Sequence, residues 1–156
     1  MPNLQIYQAG LKAIKAVMEV IDHTPTINIE DDTLAPINSI DDIEYKNVVF
    51  QYKSRNDPAV RGVNINILKG KTTAFVGESG SGKTTIVKLL NRLYDPTEGE
   101  ILINGQDLRS INLRQYRRRI SYVSQEPSLF NESIKENLLN GNPYASDAEI
   151  EEALKV

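Results

Sequence analysis

Eight consecutive residues carry the strongest chemical signal in this sequence: Gly77-Glu78-Ser79-Gly80-Ser81-Gly82-Lys83-Thr84. They fit the pattern G-x-x-x-x-G-K-[ST] without a mismatch, and that pattern describes a loop that cradles phosphate. Glycines let the backbone curl so that successive N–H groups point inward at phosphate oxygens. A helix starting at Lys83 adds the unpaired donors of its first turn and the positive end of its dipole. Lys83 is then placed to reach the β- and γ-phosphates, and the Thr84 hydroxyl to sit on Mg²⁺. The flanks agree, with a β-rich run, Thr72–Val76, entering the loop and a helical pattern leaving it. The alternative, a flexible Gly/Ser loop with no ligand, leaves this coincidence of residues and flanks without a cause.

The rest of the chain must position that loop. Its 156 residues are about one domain's worth, 40% apolar and 25% charged, an ordinary globular mixture. Eighteen Lys and Arg against 21 Asp and Glu give a formal charge of −3, which argues against a nucleic-acid partner. No cysteine is present, so disulfides, thiolate zinc sites and a cysteine nucleophile are excluded. No apolar run reads as a membrane span, and Met1-Pro2-Asn3-Leu4-Gln5 lacks the marks of a signal peptide.

Leu4, Tyr7, Leu11, Ile14, Met18 and Ile21 alternate at three- and four-residue steps, the stripe of an amphipathic helix ending before Thr24-Pro25. Its bland reading is a helix docked on a core. Residues 24–42 read as an acidic, proline-bearing linker holding the one histidine's neighbourhood, His23, at its start. Strands are expected over Ile43–Tyr52, around Val63, Ile65 and Ile67, over Glu100–Ile103 after a helix from Lys83 to about Leu93, and over Ile120–Ser124. Asn104-Gly105 is a hairpin signal. Helices are expected near Leu113–Arg118, near Ser133–Leu139 and from Ser146, where Ser146 and Glu149 have capping-box spacing. Arg114, Arg117, Arg118 and Arg119 read as a solvated face.

A GTPase would carry D-x-x-G and an N-K-x-D or T-K-x-D element, and neither occurs. The chain instead resembles the nucleotide-binding domain of ABC transporters, specifically the multidrug-resistance, P-glycoprotein-like (B-subfamily) exporters. Four segments carry the likeness: Phe50-Gln51-Tyr52-Lys53-Ser54-Arg55, the glycine loop, Tyr94-Asp95-Pro96-Thr97-Glu98-Gly99-Glu100-Ile101, and Tyr122-Val123-Ser124-Gln125-Glu126-Pro127-Ser128-Leu129-Phe130. It implies an α/β fold of the P-loop NTPase (ABC ATPase) type, an antiparallel β subdomain plus the first part of the RecA-like core. It implies two segments: 1–41, an amphipathic helix and linker following the last membrane helix, and 42–156, the N-terminal portion of the nucleotide domain.

By the same resemblance Tyr52 matches the aromatic that stacks on adenine, and Val60 an apolar residue beside the base. Strand packing explains Val60 nearly as well. Gly77, Ser79, Gly80, Ser81, Gly82, Lys83, Thr84 and Thr85 match the triphosphate cradle for ATP. Thr84 and Gln125 match the Mg²⁺ contacts, with Gln125 also near the attacking water; a carboxamide oxygen suits a hard cation without adding charge. Glu126–Leu139 resembles the surface that meets the transmembrane domain of the same transporter, and a second nucleotide-binding domain is the other implied partner. The parent is expected in a membrane, with this domain on the cytoplasmic side.

The likeness breaks off where the family's L-S-G-G-Q signature, its apolar run ending in Asp-Glu and its later histidine would follow; none occurs in these residues. The expectation is an ATPase parent whose present portion binds nucleotide and does not hydrolyse it alone. A soluble, non-transport ABC ATPase and an interaction module with a dead glycine loop are the other readings. In the family the strand entering the glycine loop is flanked by strands that come later in the chain. Thr72–Val76 and Ile120–Ser124 are therefore expected to expose unpaired edges. Self-association through those edges, or a rearranged sheet within one chain, is expected to cover them.

Overall fold

The computed structural model describes the backbone of residues 2–155 and the side chains of residues 7–155. The chain divides into two units, Met1–Ser121 and Tyr122–Val156.

In the first unit, helix α1 (Pro2–Ile21) presents Tyr7, Leu11, Ile14, Met18 and Ile21 exposed rather than docked on its own core. Leu4, the first residue of the expected stripe, lies outside the described side chains. Strands β1 (Asp42–Phe50) and β2 (Val60–Leu68) form an antiparallel hairpin. Strand β3 (Glu98–Ile103) pairs with the other edge of β1, and β4 (Gln106–Asp107) turns back on β3, giving the order β2-β1-β3-β4. Asn104 and Gly105, both at positive φ (52° and 80°), make the tight turn between β3 and β4. Asn104 also straps the linker to the sheet. Its Oδ1 accepts from the N–H groups of Asp41 and Asp42 at 2.8 and 3.0 Å, and its Nδ2 donates to the Ser39 carbonyl at 2.8 Å.

Helix α2 (Lys83–Leu90) follows the glycine loop and lays Ile86 and Leu89 on the sheet. Against them pack Tyr45, Val48 and Phe50 from β1, Ile101 and Ile103 from β3, and Leu113 and Tyr116 from α3 (Leu113–Arg117). Two buried phenols join these layers: Tyr45 donates to the Ile86 carbonyl at 3.0 Å and Tyr116 to the Leu90 carbonyl at 2.9 Å. Burial pushes both phenols well above their ordinary range, with Tyr116 adding to the shift of Tyr45, so both remain donors at any physiological pH.

In the second unit, helices α4 (Ile134–Leu139) and α5 (Asp147–Ala153) each begin with a reciprocal capping box, Ser133 with Glu136 and Ser146 with Glu149. Asn137 organises the turn before α4, accepting from Phe130 N–H at 2.8 Å and donating to the Phe130 carbonyl at 3.1 Å.

Four expectations need correction. Thr72–Val76 and Ile120–Ser124 are not strands, and the sheet is not rearranged to take them in. A strand exists only where a neighbour exchanges hydrogen bonds with it, and neither segment pairs with a described strand. Strand β1 stops at Phe50, two residues before Tyr52, and α2 stops at Leu90. There Asn91 turns its amide onto the Val87 carbonyl at 2.9 Å and Arg92 adopts φ 48°, a left-handed stop. The arginine cluster is not simply solvated. Arg117 donates to the carbonyls of Asn91 and Arg92 at 3.1 and 2.9 Å, and Arg119 to the Ile37 carbonyl at 3.0 Å. Arg117 thus satisfies carbonyls at the end of α2, where a cation also suits the dipole.

Candidate nucleotide site

The glycine loop enters α2 through Gly82, the residue that caps the helix with φ 96° and ψ 0° and offers no side chain to its N–H groups. A Cβ there would collide with the Ala59 carbonyl oxygen, so the position admits glycine alone. The amides of the first helical turn lack intrahelical acceptors and stay available to an anion. Gly80 also has positive φ (83°) but faces open space. Lys83 folds back over the loop, its Nζ donating to the carbonyls of Gly77 and Glu78 at 2.8 and 2.6 Å and to Ser81 Oγ at 3.3 Å. These bonds hold the loop curled around the ammonium.

Tyr52 stands beside this loop. Its hydroxyl hydrogen-bonds the buried Thr85 hydroxyl at 3.1 Å, and its ring meets those of Phe50 and Tyr94 edge-on, at 84° and 85°. A cleft of about 340 Å³ is lined by Tyr52, Gly80, Gly82, Lys83, Thr84 and Thr85, together with Ser54, Arg55, Ala59 and Lys88. Three cations and no carboxylate line it, which inverts locally the acidic balance of the chain. A larger, more apolar cleft of about 830 Å³ lies at Ile27, Phe50, Leu93 and Tyr94 and also touches Tyr52. It lacks the glycine loop, so of the two the smaller cleft combines the loop, three cations and an aromatic ring.

The family described as "ABC transporter" matches residues 60–156, the greater part of the chain. The chain belongs to the ABC transporter family. It is 43% identical to "ABC transporter B family member 1" of Arabidopsis thaliana over 99% of its length, and 44% identical to "Multidrug resistance protein 1" of Plasmodium falciparum over 88%. It spans only 12% and 10% of those two proteins. Among solved structures, a bacterial Atm1-family ABC exporter with ATP bound aligns with a TM-score of 0.84 and 34% identity, over 95% of this chain and 26% of that one. The fold is accordingly that of the ABC ATPase domain, present here in part.

Within this ABC transporter chain, six of the residues singled out from sequence line the one cleft: Tyr52, Gly80, Gly82, Lys83, Thr84 and Thr85. Gly77 and Ser81 touch it through the Lys83 ammonium, whereas Ser79 is exposed on the outer arm of the loop. Val60 is 3% exposed, pairs with Phe50 across the hairpin, and lines a separate depression with Ser81 and Ile86. Its place is in the packing beneath the loop. Gln125 lies in the second unit, exposed on an irregular segment.

Sequence reasoning passed over Arg55 and Lys88. Lys88 carried a usable signal, since it sits four residues after Thr84 and so shares its helix face. Arg55 closes one of the four segments that carry the likeness, but its place at the cleft depends on a turn that only the folded chain displays. No group of three or more His, Asp or Glu side chains that could hold a metal occurs among the described residues, and the cleft offers a cation hydroxyl oxygens, Thr84 among them, and no carboxylate. Such donors suit Mg²⁺ arriving with phosphate oxygens, because Mg²⁺ keeps several waters and needs few protein ligands. No described helix is long and apolar enough to cross a membrane.

Proposed function

We propose that this chain is the ATP-binding portion of an ATP-driven exporter of the multidrug-resistance type, in which ATP binding and hydrolysis drive transport across a membrane. The observation that carries the reading is the single cleft joining Tyr52 to Gly80, Gly82, Lys83 and Thr84. The adenine stacks on the Tyr52 ring, a contact of a kind worth about 1–3 kcal/mol. The first-turn amides of α2 and the Lys83 ammonium take the β- and γ-phosphates, and Lys88 adds positive charge at the same cleft. Mg²⁺ arriving with the nucleotide would neutralise charge on the phosphate oxygens, with the Thr84 hydroxyl as its donor in this cleft.

Residues 1–41 form the helix and connector that follow the last membrane helix, and 42–156 the nucleotide-binding portion. Exposed Leu129, Phe130 and Ile134 support Glu126–Leu139 as the face toward the transmembrane domain. A second nucleotide-binding domain is the other partner, and the domain works on the cytoplasmic side of its membrane. Taken by themselves these residues hold ATP without turning it over, because no carboxylate that could activate a water lines the cleft. Water activation of that kind contributes about 10²–10⁴-fold.

The test separates base from phosphate. In calorimetric titrations, Tyr52→Ala weakens ATP by about tenfold or more and leaves inorganic triphosphate nearly unchanged, because only the base is stacked. Parallel losses for both ligands place Tyr52 in the packing alone.

The isolated chain is also expected to self-associate. Strand β2 is an open nine-residue edge, and Thr72–Val76 is unpaired, with Val76 94% exposed. Sedimentation velocity across a concentration series reads this directly, and a monomer at the highest concentration rules it out.

A further inference from the structure

Arg55 is the cleft's cation that meets an aromatic ring. Its guanidinium carbon lies over the Tyr52 ring, 5.9 Å from the centroid. The chain builds this placement. Arg55 N–H donates to the Tyr52 carbonyl at 2.9 Å, and the Gln51 amide donates to the carbonyls of Arg55 and Asn56 at 2.8 and 3.0 Å. The ring is fixed independently by Thr85 and by the edge-on contacts with Phe50 and Tyr94. A polar-edged ring and a planar cation therefore stand opposite one another at a cleft that also contains the glycine loop.

As it stands the spacing is too short for a third planar group between them, and one enters only if Arg55 moves outward. A stacked base occupies about 3.4 Å, so a ring–base–guanidinium sandwich spans about 7 Å. The observed 5.9 Å falls short by about 1 Å. Arg55 is exposed and long enough to give that distance by side-chain rotation alone. We propose that Arg55 closes on the outer face of the base, so that the nucleotide is clamped between Tyr52 and Arg55. The inference rests on the reading of the cleft as a nucleotide site. It assigns Arg55 to the base, while Lys83 and Lys88 serve the phosphates. A guanidinium stacks on a flat π surface through its own plane, which the compact ammonium of lysine cannot do.

The experiment titrates ATP and inorganic triphosphate by calorimetry into the unaltered chain, Arg55→Ala, Arg55→Lys and Lys83→Ala. Arg55→Ala is expected to weaken ATP about 5–10-fold, the range of a partly desolvated cation–π contact, and to leave triphosphate within about twofold. Arg55→Lys is expected to recover only part of that loss, because the ammonium keeps the cation–π attraction and lacks the planar stacking. Equal losses for both ligands, full recovery with lysine, or no loss for ATP each overturn the clamp while the nucleotide site stands. Absence of ATP binding to the unaltered chain overturns the nucleotide reading, and the clamp with it.

Discussion

Lys83→Ala lowers the affinity for ATP at least about tenfold, and lowers that for inorganic triphosphate by a similar factor. Two losses combine. On the proposed reading the ammonium is the donor to the β- and γ-phosphates, and charge-assisted bonds of that kind are about twice as strong as neutral ones. The same ammonium also organises the loop, through its bonds to Gly77, Glu78 and Ser81. Without it the glycines regain conformational freedom that binding must then remove. The loss on triphosphate distinguishes this variant from Tyr52→Ala and Arg55→Ala, which act on the base. Isothermal titration calorimetry gives both affinities, and equal ATP affinity in variant and parent removes the assignment of the loop. Phosphate release from Mg·ATP is expected to sit at background in both proteins, and turnover abolished by Lys83→Ala would show that this chain hydrolyses by itself.

Gly99→Ala unfolds the chain at a markedly lower temperature. Gly99 has φ 78°, and a Cβ there would meet the carbonyl oxygens of Lys46 and Asn47 and come within 2.6 Å of the Asn47 carbonyl carbon. The obstruction is backbone, so no side chain can swing aside. It arises because β1 shifts register between Lys46 and Val49, with Asn47 at φ 47°, and this bulge leans into β3. Strand β1 is central, paired to β2 on one side and β3 on the other, so pushing β3 away opens the sheet. Backbone strain and overpacking together cost about 3–5 kcal/mol, and Tm falls by roughly 10 °C or more. Gly105→Ala is the control, because its φ of 80° carries the same backbone strain with nothing within 4 Å of a new Cβ. Circular dichroism melts reporting equal shifts for the two variants would show that the contact with β1 contributes nothing.

Much of the antiparallel sheet was legible in the residues. Val63, Ile65 and Ile67 alternate, and β2 forms around them; Asn104-Gly105 demands a turn, and β3 and β4 meet there. The Ser146–Glu149 spacing gives the capping box it implies, and the equivalent pair Ser133–Glu136 could have been read the same way. These are local signals, settled within four or five residues. Other features depend on residues far apart in the chain. Arg117 and Arg119 read as surface charge until the carbonyls of Asn91, Arg92 and Ile37 stand within reach. Val60 fits a place beside the base or in strand packing, and the hairpin buries it opposite Phe50.

The sequence by itself determined the phosphate loop, because glycine conformation, a helix start and a lysine at fixed spacing are properties of eight adjacent residues. It also determined the family, through four segments whose order survives without coordinates. Only the tertiary structure decided what shares the loop's cleft. Tyr52 and Arg55 reach it because the β1–β2 turn folds back beside α2, and Thr85 is turned to hold the tyrosine. It also decided that Thr72–Val76 carries strand-forming residues and yet forms no strand. A β-strand is completed by the hydrogen bonds of its neighbours, and propensity cannot supply them.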